Sequence, residues 1–168
     1  MDDLLNKLKH ITHDIKFSKG SSFAWSPTNR TITYPSKTTG SEVEAWSLLH
    51  EIGHALSAHT TYESDVDLLL IEVEAWEKAK EIGLKLDISI DEDHVQNCLD
   101  TYRDWLHQRS TCPRCGIVAM QTDSKTYRCH NCHNTWLVSA SRFCRPYRRS
   151  AKTKNPPTKP KTPLATFS

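Results

Sequence analysis

The chain has 168 residues, room for one main hydrophobic core and a small module that needs a metal to hold it together. With five glycines it has no phosphate-cradling loop, and it lacks a serine nucleophile elbow and internal repeats. No apolar run approaches the roughly 18 residues of a membrane span, so a soluble, cytoplasmic protein with no membrane partner is expected. Charge is divided: 12 basic and 20 acidic residues precede Ser124, and ten basic and no acidic ones follow from there.

In chain order, Leu4, Leu5, Leu8, Ile11 and Ile15 predict an amphipathic first helix. Phe23 and Trp25 then alternate with polar residues, Ser26 to Asn29 mark a turn, and Ile32 and Tyr34 alternate again, which predicts a β-hairpin. One of its strands is expected either to rim a cleft, where an exposed edge can pair with an extended peptide, or only to close the core.

Ser41 and Glu44 form a capping-box pair ahead of Ala45, Trp46, Leu48, Leu49, Ile52, Ala55, Leu56 and Ala58, a helix apolar nearly all round and hence buried. Inside it lies His50-Glu51-Ile52-Gly53-His54. Histidines at i and i+4 sit one turn apart on one face and can share a Zn²⁺, while Glu51 stands beside the open coordination position to take a proton from water. The chemistry this implies is metal-assisted hydrolysis, most often of a peptide bond; the bland alternative is a buried helix with two satisfied core histidines. Gly53 is costly in a helix, which predicts that another backbone approaches it closely.

Zinc with one position open needs a third protein ligand. Between about residues 63 and 84, Leu68, Leu69, Ala75, Trp76, Ala79 and Ile82 form a helical stripe, and Glu72 falls inside it. Glu74 shares the other side with charged neighbours and is expected to pair with Lys78 at i+4. Glu72 is therefore selected as the ligand, against a reading in which its head stays in water. His59 lies five residues after His54, a step that turns a helix about 140° from the metal side, and no glycine bends the chain back. His59 and Tyr62 are read as loop residues at the rim, either solvated or able to stabilise an oxyanion.

These segments, His50 to His59 followed by Glu72-Val73-Glu74-Ala75-Trp76, resemble the compact gluzincin peptidases of the ImmA/IrrE type and the related minigluzincins, over roughly residues 1 to 110. The resemblance implies the order helix, β-hairpin, HExxH helix, glutamate helix. It also implies His50, His54 and Glu72 as ligands of a catalytic zinc, Glu51 as base, and a protein substrate that is a DNA-binding regulator.

The stretch from Ser89 to Arg109 puts Val95, Cys98, Leu99, Tyr102 and Leu106 on one face, with Ser89 and Glu92 as a capping pair and Asp91 to His94 as a charged first turn. Cys98 reads as a small buried hydrophobe. Beyond it, Cys112 and Cys115 are followed after thirteen residues by Cys129 and Cys132. Two such knuckles direct four thiolates at one ion, a closed tetrahedron that predicts a structural Zn²⁺ in a zinc ribbon. Residues 117 to 127 suit a hairpin, and Trp136 to Val138 a closing strand. From Arg142, eight Lys and Arg residues are set among prolines, a tail expected to be disordered, with Phe143 and Tyr147 as thin support for base stacking and Cys144 as a spare thiol.

Taken together, the sequence predicts an α+β protein: a zincin-like metallopeptidase domain over residues 1–109, a four-cysteine zinc ribbon over 110–140 and a basic, Pro-rich tail over 141–168. Ribbon and tail would bring the enzyme to DNA or RNA, or to a protein bound there. Two other readings stand: a non-enzymatic nucleic-acid-binding zinc-ribbon protein, and a protease like the SprT group, which acts on DNA-bound proteins but takes a histidine as third ligand.

Overall fold

The computed structural model describes residues 1–139 and 148–150. The chain runs α1 (Asp2–Ile11), β1 (Lys16–Gly20), β2 (Ala24–Ser26), β3 (Thr31–Pro35), α2 (Glu42–Leu56), α3 (Asp65–Lys85) and α4 (Glu92–Ser110), then β4 (Met120–Asp123), β5 (Thr126–Arg128), β6 (Thr135–Val138) and β7 (Arg148–Ser150). The class is α+β, with two separate sheets of order β1-β3-β2 and β4-β5-β6-β7.

Helix α1 buries Leu4, Leu5 and Leu8 but stops at Ile11, which is exposed. Ile15, expected on the same helix, is buried in the connection to β1 instead; the buried Thr12 caps the helix and its hydroxyl donates to the Leu8 carbonyl at 2.8 Å. The hairpin forms as β2 against β3, with Trp25 opposite Ile32. A strand absent from the sequence reading, β1, adds parallel to the other side of β3, with Phe17 beside Ile32. Its short exposed alternation is too weak a periodic signal to stand alone.

Helices α2 and α3 form the centre. Ser41 caps α2 by accepting from the Glu44 N–H at 3.3 Å, and Glu44 reaches back past it to the Thr39 and Gly40 N–H groups. Those bonds, that of Thr39 foremost, hold the Glu44 carboxyl below the usual carboxylate range. Ser64 and Asp67 make a full reciprocal capping box on α3. Gly53 meets α3 as its cost in a helix predicted: an added Cβ would lie 2.9 Å from the Ala75 carbonyl carbon and nearer still to its oxygen. The cap of α4 is Asp91, whose carboxylate accepts from the Asp93 N–H, and not Ser89, whose carbonyl accepts the Trp46 indole N–H at 3.0 Å. Nor is His94 part of a merely charged turn: its ring packs against both Trp46 and Trp76.

The C-terminal sheet is an antiparallel meander around Tyr127 stacked on Trp136, with ring centroids 5.6 Å apart. Strand β7 extends it past residue 140, pairing Val138 with Arg148, so this part of the predicted tail belongs to the sheet. The remainder of the tail, residues 141–147 and 151–168, lies outside the described residues.

A buried polar cluster joins the two halves. Asp65, at the start of α3, accepts two bonds from Arg109 at the end of α4, at 2.5 and 3.0 Å, and a third from the Tyr127 hydroxyl of β5. The Asp65 N–H donates to the Gln121 side chain of β4 at 2.8 Å. Arg109 also bonds the Ser139 carbonyl and stacks on Trp105, while its own carbonyl accepts the Trp136 indole N–H. Burial, reinforced by the Asp65 carboxylate, pushes the Tyr127 phenol up, so it stays protonated and donating.

Candidate metal centre

Two groups of three or more ligand-type side chains converge among the described residues: His50, His54 and Glu72, and Cys112, Cys115, Cys129 and Cys132. In the first, one turn of α2 brings the two imidazoles together edge to face, and α3 brings Glu72 up from the facing stripe. His50 Nε2 lies 3.1 Å from His54 Nε2 and 3.2 Å from Glu72 Oε2, and His54 Nε2 lies 3.6 Å from the same oxygen. A tetrahedral ion with bonds of about 2.0 to 2.1 Å has edges of about 3.3 to 3.4 Å, so the three atoms are spaced as ligands of one small cation.

Glu72 is buried, as the stripe predicted. Burial pushes its carboxyl up, but the bonds to His50 and His54 outweigh that and hold it well below the usual carboxylate range. A carboxylate kept ionised in an apolar stripe has to be balanced by positive charge, from the imidazoles or from a cation between them.

Each imidazole is oriented differently. His50 stacks on Trp76, centroids 4.3 Å apart and planes at 27°, and its Nδ1 is buried without a hydrogen-bond partner among the described residues. His54 turns its Nδ1 to the Nδ1 of His59 at 3.0 Å. This contact corrects the expectation that His59 points away. Helix α2 ends at Leu56, so the helical angle no longer applies, and Ala58 takes φ +54° to fold the chain back without a glycine. That left-handed turn costs on the order of 1 kcal/mol for alanine. The outcome for the ligand set is unchanged, because His59 meets the side of His54 away from Glu72. Glu74, expected to pair with Lys78, instead stands 3.3 Å from His59 Nε2, while Lys78 pairs with Glu81. The neighbouring His59 and Ser57 lower the Glu74 carboxyl from its ordinary value.

Glu51 and β2 complete the surroundings. The Trp25 N–H donates to Glu51 Oε2 at 2.7 Å, and the Trp25 indole N–H donates to the His59 carbonyl at 3.1 Å. Strand β2 is the sheet edge beside the site, as one branch of the sequence reading had it, but at Trp25 its outward N–H is already engaged. An open cleft of about 290 Å³ lies at His50, His54 and Glu72 and is lined also by Phe23, Trp25, Leu68, Ile71, Tyr62 and Tyr102. Tyr62, half exposed, keeps its place at the rim. A second cavity, sharing His50, Glu51 and Glu72 with the first, is lined by Ser47, Trp76, His94 and Cys98. Cys98 is only half-buried, and burial raises its thiol.

In the second group, Cys112 Sγ lies 3.6 Å from Cys132 Sγ, and Cys115 Sγ 3.5 Å from Cys129 Sγ, against edges of about 3.8 Å for four thiolates around zinc. The Ile117 N–H and nearby sulfurs lower the Cys115 thiol to about 6. Cys132 is pulled down by the Asn134 N–H, yet desolvation and its three sulfur neighbours push it to about 11. Sulfurs this close cannot all carry charge without a cation among them.

Trp25 and Trp76 were not legible as site residues in the sequence, and His59 was placed at the rim without its contact to His54. A signal existed for Trp76, which lies four residues after Glu72 and therefore on its face of α3.

Fold and side chains define an α+β chain with two candidate metal centres, one of two histidines and a glutamate beside an open cleft, the other of four cysteines. No protein-family model, curated protein or solved structure matches it.

Proposed function

We propose that the chain is a zinc-dependent peptidase of the gluzincin kind, with His50, His54 and Glu72 as ligands of a catalytic Zn²⁺ and the four cysteines holding a structural one. The observation that carries this reading is the placement of Glu51. Its carboxylate lies on the turn that bears both histidines, borders the cleft, and is held through one oxygen by the Trp25 N–H, leaving the other to serve as a base. A buried structural triad needs no such group.

Zn²⁺ bound there would supply Lewis-acid polarisation of a peptide carbonyl and make a nearby water more acidic. Glu51 takes the water's proton and later delivers it to the leaving amine. The Trp25 N–H holds the carboxylate in place at the cleft. Phe23, Leu68 and Ile71 offer apolar walls to substrate side chains.

Replacing Glu51 with Gln is expected to lower cleavage of a proteome-derived peptide pool by about 10²- to 10⁴-fold, with both metals retained by elemental analysis. A two-metal wild-type protein that cleaves nothing in that pool removes the enzyme reading.

The four-cysteine module and the basic residues around and beyond it are proposed to bring the enzyme to nucleic acid or to proteins bound there. Lys125, Arg128, Arg148 and Arg149 lie on or beside its strands, and no acidic residue follows Asp123. Binding to a DNA or RNA oligonucleotide should fall steeply between about 50 and 200 mM salt, as phosphate contacts require. No detectable binding at the lower salt would refute this targeting role. Among the described residues no helix is long and apolar enough to cross a membrane.

A further inference from the structure

The geometry points to His59 and Glu74 as positioning residues for the metal ligand His54, an inference that rests on the proposed metal site. A histidine that binds an ion through Nε2 carries its proton on Nδ1, and a partner for that proton fixes both the tautomer and the ring plane. His54 turns Nε2 toward His50 and Glu72, and its Nδ1 has the Nδ1 of His59 at 3.0 Å. His59 therefore accepts there, which places its own proton on Nε2. That nitrogen is buried, and the Glu74 carboxylate stands 3.3 Å from it, close enough for its negative charge to favour the proton on Nε2 though outside hydrogen-bond alignment. The order Glu74, His59, His54, ion thus gives each nitrogen one proton role.

The chain is built to hold this arrangement. Ala58 adopts its left-handed turn to return His59 to the helix, and the Trp25 indole N–H clamps the His59 carbonyl. Only 11% of the His59 side chain is exposed. The same tryptophan binds Glu51 through its backbone, so β2 fixes the base and the positioning histidine together.

The test is metal affinity of the full chain, measured by competition with a chromophoric chelator, together with the visible spectrum of the cobalt-substituted protein. His59→Ala is expected to weaken binding at the His50, His54 and Glu72 site by about 10- to 100-fold and shift the cobalt bands, leaving the four-cysteine site unchanged. His59→Asn places an amide oxygen where Nδ1 lies and should restore most of the affinity. His59→Gln, of similar size, places it nearer Nε2 and should not. Glu74→Gln should cost less than His59→Ala. Equal affinity and spectra in wild type, His59→Ala and His59→Gln overturn the positioning role while leaving the metal site standing. A wild-type chain that binds metal only through its cysteines overturns the site and this inference together.

Discussion

Gly53→Ala is expected to destabilise the protein by about 3 kcal/mol and to weaken metal binding at the histidine and glutamate site. In an isolated helix the same change would stabilise by about 1 kcal/mol, because glycine is the poorer helix former. The sign reverses because α2 and α3 touch backbone to backbone at this point: the new methyl group would lie 2.9 Å from the Ala75 carbonyl carbon and 3.1 Å from its Cα. The helices must move apart to admit it. Gly53 immediately precedes His54, and Ala75 follows Glu72 by less than a turn, so the separation acts on the distance between imidazole and carboxylate. Urea denaturation reads the stability, and chelator competition reads the metal. The obstacle is backbone, so Ala75→Gly cannot rescue the variant. A Gly53→Ala protein as stable as wild type would mean that the helices do not pack this closely.

A loss of about 3 to 5 kcal/mol is also expected from Asp65→Ala, and a similar loss from Arg109→Met, because each leaves its partner charged and buried. Both residues are only 2% exposed, so solvent cannot take over the missing bonds. Asp65 receives Arg109 and Tyr127 on its carboxylate, so its replacement by Ala frees two polar groups from two elements, while the backbone N–H at position 65 can still donate to Gln121. The double variant should cost clearly less than the two single losses together, since no lone charge then remains. Chemical denaturation of the three proteins checks this. Single losses below about 1 kcal/mol would show the cluster to be solvated. Because the cluster joins α3 and α4 to β4 and β5, the single variants should also reduce amide-exchange protection in the four-cysteine module.

Much of the candidate site was legible in advance because its elements are short-range. The i, i+4 spacing of His50 and His54 fixes two imidazoles on one face whatever surrounds them. Glu72 was distinguishable from Glu74 because a stripe at helical period separates the buried side of a helix from its wet side, and Glu72 is indeed buried while Glu74 is exposed. The cysteine knuckles carry their geometry in their own spacing. Other expectations failed where a helix end was involved. Ile15 and His59 were placed by continuing a helical wheel past the last helical residue, and in both cases the chain had already turned.

What the sequence determined by itself is thus the set of ligand-type residues, the helices that carry them and the glycine where another backbone had to come close, since periodicity and residue spacing express these locally. Only the tertiary structure decided that Ala75 is the backbone Gly53 meets, that Trp25 binds the Glu51 carboxylate, that His59 returns to His54, and that Asp65 and Arg109 join the two halves. Each of those contacts links residues whose meeting depends on a turn or a packing angle between elements, and neither is encoded in the order of residues along one helix or strand.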